Sequence, residues 1–244
     1  MIIIVARYRE DISWTKQFPK VLIYNKGDKL NCPNEIMLTN VGREGHTYYK
    51  YIYDNYDKLE DYTVFLQGNP YDHSPNIISN LTKYIRNSKL DTDFEFLSER
   101  ILNCTLLWCK YHGRPLPLSS VYEQLFNKKD FNKELVFGAG AQFLVSKKQI
   151  LRHSREFYLK IVNLLGYEKN PIEGYVIERF HKTIFAPQKR INLVERPWQK
   201  QATIISNPSK PIKRAILAKT LSAIPLTTGN PFSRGYRHLN LDGK

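Results

Sequence analysis

The chain is poor in cysteine, in acidic residues and in long apolar runs. Three cysteines, Cys32, Cys104 and Cys109, stand among 244 residues. An odd number fits no closed disulfide framework, and their spacing matches no zinc-binding pattern. A reducing compartment follows, so the expected location is cytoplasmic. No stretch approaches the ~20 consecutive apolar residues that span a bilayer. The opening run, Ile2-Ile3-Ile4-Val5-Ala6, is too short for a secretory signal and has no basic region before it. A Walker A loop, a His-Glu-x-x-His pair and a Gly-x-Ser-x-Gly elbow are all missing, which removes the usual signatures of P-loop, zincin and serine-hydrolase chemistry. Gly138-Ala139-Gly140-Ala141 falls short of a dinucleotide fingerprint, because no third glycine follows at the right spacing. It suits a strand passing close to a bound sugar or a neighbouring backbone.

What is present points to a folded, basic protein. Hydrophobic residues make up 42% of the chain, enough for a sizeable core, and the net charge is +14. From Gln199 to Lys244 there are eight Lys or Arg and one acidic residue, Asp242, so half of the excess sits in the last stretch. Such a surface favours polyanions or anionic membranes, or it simply keeps the protein soluble.

The N-terminal half alternates strand and helix signals. Ile2-Ile3-Ile4-Val5-Ala6, Lys20-Val21-Leu22-Ile23-Tyr24, Glu35-Ile36-Met37-Leu38 and Tyr62-Thr63-Val64-Phe65-Leu66-Gln67 read as strands. Tyrosine-rich 43–56 and the segment 76–86 read as helices. Loops and short elements are expected over 91–132. A strand is expected at 137–145, then one amphipathic helix over 147–165 with Ile150, Ser154, Phe157, Ile161 and Leu164 on one face. A last helix is expected over 172–185, after Asn170-Pro171. This order predicts an α/β fold, with a mostly parallel sheet of about six strands and helices on both faces. After Pro187 the sequence turns Pro-punctuated and basic, which predicts an appendage over 188–244. Within it, 210–226 pairs lysines with apolar residues and offers a peripheral membrane contact or a helix packing back on the main domain.

Ligands of open α/β sheets bind beyond the carboxyl ends of the strands. Four polar clusters fall at such ends or between them. Arg7, Tyr8 and Glu10 follow the first strand, and Asn25 and Lys26 follow the second. Gly42, Arg43 and His46 lie at a helix start, where free N–H groups suit a phosphate. Gln67 and Asn69 follow the later strand, then Asp72 and His73. Together they suit a nucleoside diphosphate; ordinary turn and cap chemistry is the alternative for any one of them.

Six motifs in order resemble a domain-of-unknown-function family found in fungi, plants, bacteria and large viruses. They are Ala6-Arg7-Tyr8-x-Glu10-Asp11-x-x-Trp14; Val21-x-Ile23-Tyr24-Asn25-Lys26-Gly27; the run from Asn40 to Tyr48; Val64-Phe65-Leu66-Gln67-Gly68-x-Pro70-x-Asp72-His73; Gly140-Ala141-Gln142-Phe143-x-Val145-Ser146; and Glu178-Arg179 with Ile184-Phe185. The resemblance covers about 1–187, and that family is in turn similar to GT-A glycosyltransferases, including a viral domain that glycosylates capsid protein. It implies a GT-A-like, Rossmann-like domain over 1–187 that takes a nucleotide-sugar donor such as a UDP-sugar and a glycan or protein acceptor, commonly with Mn²⁺ or Mg²⁺. Nucleic acid is not the expected partner.

The GT-A Asp-x-Asp metal motif is replaced here by Gly68-Asn69-Pro70. Asp72 and His73 are then the candidate metal ligands; the alternative is a helix cap by Asp72 or Ser74. For acceptor activation the candidates are Glu173 and Glu178 on the last helix. Glu178 shares what reads as a polar face with Gly174, Tyr175, His181 and Lys182, and could instead pair with Lys182. Glu173, in the first turn, could instead complement the helix dipole. An inactive sugar-nucleotide fold and a nucleic-acid-binding module on the same scaffold remain the competing readings.

Overall fold

Continuous apolar runs become strands buried on both faces. In the computed structural model, which describes residues 1–86, 90–130 and 132–186, β1 (Ile2–Arg7) is flanked by β2 (Val21–Asn25) and β4 (Tyr62–Gln67), both parallel to it. β3 (Glu35–Met37) adds to β2, also in parallel. β8 (Phe143–Ser146) runs antiparallel to β4, and β5 (Phe94–Phe96) antiparallel to β8. The six-stranded order is β3-β2-β1-β4-β8-β5. A separate antiparallel pair joins β6 (Ile101–Thr105) to β7 (Glu134–Gly138).

Alternation along each strand divides the core in two. Ile4, Phe65, Phe143 and Val145 face a large cluster with α1 (Arg43–Asp54), α3 (Leu118–Phe126), α5 (Arg155–Leu165) and α6 (Ile172–Phe185). Ile3, Val5, Val64, Leu66 and Leu144 face a smaller one, closed by α2 (Ile77–Arg86) and by Trp14 of the 3-10 turn Ser13–Gln17. The expected α/β fold with a mostly parallel sheet and helices on both faces is what the chain adopts. Of the tyrosines on α1, Tyr48, Tyr49 and Tyr51 are core residues.

Two expectations are corrected. The stretch 137–145 is not one strand. It breaks at Gly140 (φ 85°) and Ala141 (φ 54°), so β7 and β8 belong to different sheets. Nor is 147–165 one helix. The Ser146 hydroxyl accepts from the Gln149 N–H and starts the short α4 (Lys147–Ile150), and Ser154 sits at the N-cap of α5 rather than on its inner face. The buried face of α5 is therefore Tyr158, Ile161, Val162 and Leu165. The appendage 188–244, including 210–226, lies outside the described residues.

Gly42 holds α1 against α5. Its φ is 64°, and a Cβ there would lie 2.5 Å from the His46 Cβ and 2.6 Å from the Leu165 carbonyl oxygen. Replacement by alanine therefore adds both a clash and a left-handed backbone penalty. Gly42→Ala should destabilise by about 1–3 kcal/mol in urea denaturation. Gly113→Ala, with nothing within 4 Å of the new methyl, should stay within about 0.5 kcal/mol. Equal midpoints for the two variants would show that the helix packing tolerates the methyl.

Candidate functional site

Strand order reverses between β1 and β4, and in such sheets the crevice beyond that point is where ligands sit. Arg7 pairs in register with Asn25, and Ala6 with Gln67, so the first, second and fourth strand ends share one edge, with Asn69 just beyond. The residues at this edge are largely bound to each other. The Arg7 guanidinium donates to the Asn25 side chain (2.8 Å) and to the carbonyls of Tyr8, Glu10 and Asp28. Asn25 is fully buried and donates to the Asp28 carbonyl and the Glu35 carboxylate. The Glu10 carboxylate accepts the Tyr8 N–H at 2.7 Å and lies so near Gly68 that a Cβ there would meet it at 2.6 Å. Trp14 Nε1 donates to the Gly68 carbonyl. Lys169 lies over the Tyr8 ring. Asn69 closes its own turn with Tyr71 and Asp72.

Lys26 reaches from this frame to the start of α1. Its buried ammonium donates to the carbonyls of Val41 (2.6 Å) and Arg43, and burial lowers its pKa to about 8. The Gly42 and Arg43 N–H groups are also taken, by the carbonyls of Glu168 and Lys169. Two of the helix-start N–H groups expected to meet a phosphate are therefore already spent. These bonds hold Arg43 at φ 52°, a conformation costly for a long side chain. Besides Asn31 and Asn127, the non-glycine residues with positive φ are Arg43 and Ala141 among the described residues. Arg43 lines one cleft, and Ala141 follows Gly140 of the same cleft in the chain; backbone strain at a cleft is a functional signal.

That cleft, about 240 Å³, is lined by Arg43, Glu44, Gln67, His73, Arg100, Tyr111, His112, Gly140, Tyr175, Glu178 and Arg179, among others. A hollow of about 290 Å³ near Met1, Lys20 and Asp61 is larger but sits at the amino ends of β1, β2 and β4, where the fold gives no reason for a ligand. In the cleft the Arg43 guanidinium stacks on Tyr175, 4.5 Å from the ring centre, and donates to its hydroxyl. His112 packs on the same ring at 4.2 Å, and its Nε2 has no partner. Burial first, then Arg179, Arg114 and Arg43, keep His112 below the ordinary imidazole range. Glu178 accepts the Gly140 N–H at 2.8 Å and pairs with Arg179. Burial raises its pKa against the opposing pull of Arg179. Arg179 is itself buried over Phe137, with its Nε unpartnered.

The structure thus gathers Arg43, Gln67, His73 and Glu178 around one space and leaves the rest of the sequence-derived set in the frame beside it. His46, on α1, is buried. Glu173 lies outside the cleft lining and accepts the Tyr167 hydroxyl at 2.7 Å. The face around Glu178 is not polar and open as its composition suggests: Gly174 and His181 are buried, and the ion pair is with Arg179 rather than Lys182. Arg100, His112 and Tyr175 were missed as site residues. Their segments carry no recognisable motif, and the one usable sign was the run 100–122, which contains no acidic residue.

Asp72 and His73 do not form a metal centre on their own. Asp72 is exposed and accepts from Asn69 at 3.3 Å, while the His73 ring rests on Gly140, where a Cβ would come within 2.3 Å. Among the described residues no three His, Cys, Asp or Glu side chains gather to hold an ion. The capping alternative is not seen for Ser74 either, whose buried hydroxyl donates to the Leu97 carbonyl.

Sheet order and cleft together define an α/β protein with a ligand-type crevice at the carboxyl edge of a mostly parallel sheet. The chain belongs to the family DUF3431, described as a protein of unknown function, whose model matches residues 2–94 and 110–201. The resemblance to a domain-of-unknown-function family is thereby borne out. No curated protein and no solved structure matches the chain.

Two buried histidines make acid stability a readout of this region. Desolvation first, then nearby cations, lowers His46 to about 4 and His181 to about 3. Unfolding restores ~6.5, so the unfolded chain takes up these protons first. Their contribution is intact above that value and is lost as pH falls toward the folded values. The urea midpoint should therefore drop between about pH 7 and pH 5, and His181→Phe should make the drop shallower. An unchanged slope in that variant would remove His181 from the account.

Proposed function

We propose that the protein is a glycosyltransferase that moves a sugar from a nucleoside-diphosphate sugar to an acceptor hydroxyl. The observation that carries this reading is the Glu178 carboxylate, buried beside three arginines in the crevice at the carboxyl edge. The β3-β2-β1-β4 order supports a GT-A-like, Rossmann-like assignment, since dinucleotide- and nucleotide-binding sheets share it. The chemistry needs two things. The acceptor hydroxyl must lose its proton as its oxygen bonds to the anomeric carbon, and the departing diphosphate must have its charge neutralised. Glu178, whose proton affinity burial raises, takes the proton. Arg43 and Arg100 face the leaving diphosphate, with Gln67 and His112 as neutral hydrogen-bonding groups alongside. Arg7, Asn25 and Lys26 act by fixing the strand-end loops, and Tyr8 with Glu10 borders the nucleoside end. No step is assigned to Mn²⁺ or Mg²⁺, because Asp72 and His73 do not supply a donor set.

One observation favours a second reading, an inactive fold that binds a sugar nucleotide. Both Glu178 oxygens already have partners, Gly140 and Arg179. Those contacts, the Arg179 ion pair above all, reduce the carboxylate's availability as a base.

The two readings part on substitution. Glu178→Gln should lower transfer by roughly two to four orders of magnitude while leaving UDP or another nucleoside diphosphate bound nearly as before. Glu173→Gln should cost far less. Arg43→Ala should weaken diphosphate binding by about 1.5–3 kcal/mol in titration calorimetry. Full activity in Glu178→Gln would exclude it as the base. Nucleotide binding with no transfer by the wild type, across donors, would favour the inactive fold.

A further inference from the structure

Beside the cleft, the chain leaves β6 through a tight turn. The Thr105 N–H donates to the Trp108 carbonyl at 3.1 Å, and the Thr105 hydroxyl accepts the N–H groups of Leu107 (3.3 Å) and Trp108 (3.2 Å). The turn is closed by its own bonds, yet its two apolar side chains stand in water, Leu107 66% and Trp108 63% exposed. They are the most exposed large hydrophobic residues among those described. The residues on either side, Leu106 and Cys109, are buried, so the pair projects from an anchored base.

Along the chain, the charges flanking the turn have one sign. Between Glu99 and Glu123 there is no acidic residue, whereas Arg100, Lys110 and Arg114 fall in that stretch. Lys110 and Arg114 are exposed. The acidic residue nearest in register, Glu134 opposite Thr105, belongs to β7 and not to the turn. The turn also lies between the two stretches that the family model matches, 2–94 and 110–201.

We propose that this turn docks the protein on an anionic membrane surface. Trp108 and Leu107 enter the interfacial layer, and Lys110 with Arg114 meets anionic lipid headgroups. Tryptophan settles at the membrane–water boundary because its ring is amphipathic, and basic residues beside it gain from surface charge. A sugar chain would use the Trp108 face but would leave Leu107 in water. A stable protein partner needs a matched surface of ~800 Å² per side, far more than one turn offers, whereas a bilayer needs no matching shape. From the turn the chain runs directly to Tyr111 and His112 at the cleft. Docking would bring the cleft close to hydroxyls borne on lipids or on membrane proteins; that extension rests on the transferase reading, while the docking itself does not.

The test uses the full chain with Trp198→Phe, which leaves Trp108 and the buried Trp14 as its tryptophans. Vesicles of phosphatidylcholine, with or without phosphatidylserine, carry brominated acyl chains that quench embedded tryptophan. Quenching and a blue shift are expected with phosphatidylserine present. In sedimentation, Leu107→Ser with Trp108→Ser should weaken binding to phosphatidylserine vesicles by about tenfold or more. Lys110→Ser with Arg114→Ser should weaken it and reduce its sensitivity to salt. Unquenched emission on bound vesicles would overturn the proposal, since it would place the contact elsewhere in the chain. Equal binding to pure phosphatidylcholine would overturn the anionic selectivity. A dimer that Leu107→Ser dissociates, without quenching, would assign the turn to a second copy of the chain. Circular dichroism of each variant confirms the fold.

Discussion

Lys26 carries an ammonium to a place with little water and uses it to hold two backbone carbonyls, of Val41 and Arg43. Nearly everything at the carboxyl edge follows from that constraint. It ties the end of β2 to the start of α1 and steadies a left-handed arginine. It thereby presents the Arg43 guanidinium to Tyr175, which carries His112 as well. Without the ammonium, the half-buried carbonyls of Val41 and Arg43 would each lose one charge-assisted bond, a loss on the order of 1 kcal/mol apiece. The frame around Arg7, Asn25 and Glu10 works in the same way. Polar side chains at strand ends are satisfied by neighbouring loops, and those loops then define the rim of the crevice.

The sequence exposed the frame more readily than the cleft. Strands β1, β2 and β4 are contiguous apolar runs ended by turn residues, so each was legible within its own few residues. Helix α6 was legible from the preceding Asn170-Pro171. The break between β7 and β8 was hidden because Gly140-Ala141 sits inside an otherwise apolar stretch. The ring of His73, far earlier in the chain, together with the positive φ of Gly140, explains why that position lacks a side chain. Likewise the first half of 147–165 has helical spacing, but Ser146 and Ser154 each start a helix, and a polar N-cap placed at a core spacing reads as part of the face. The cleft draws on α1, α6, β6, β7 and the loop around His112, and no local pattern announces residues that meet only through tertiary packing.

Polar atoms left unpartnered cluster on the same side of the sheet as the cleft. The hydroxyls of Tyr48 and Tyr49, His181 Nε2 and Arg179 Nε have no partner among the described residues. Tyr48 packs on Phe65 and Phe143, and His181 lies 4.4 Å from Phe143, so these groups ring one aromatic layer. Interiors rarely leave such atoms bare, and ordered water is the usual answer. The region behind Glu178 is accordingly polar at isolated points inside an aromatic setting, and burial there raises the Glu178 carboxyl above the ordinary carboxylate range.

The chain passes from the small sheet to the large one at Gly140 and Ala141, and the Glu178 carboxylate is bonded to that same junction. Gly140 also lines the cleft, so the peptide that marks the junction supplies one of the bonds to its carboxylate. Anything that displaced Gly140 would therefore alter the shape of the cleft and the proton affinity of Glu178 in one movement.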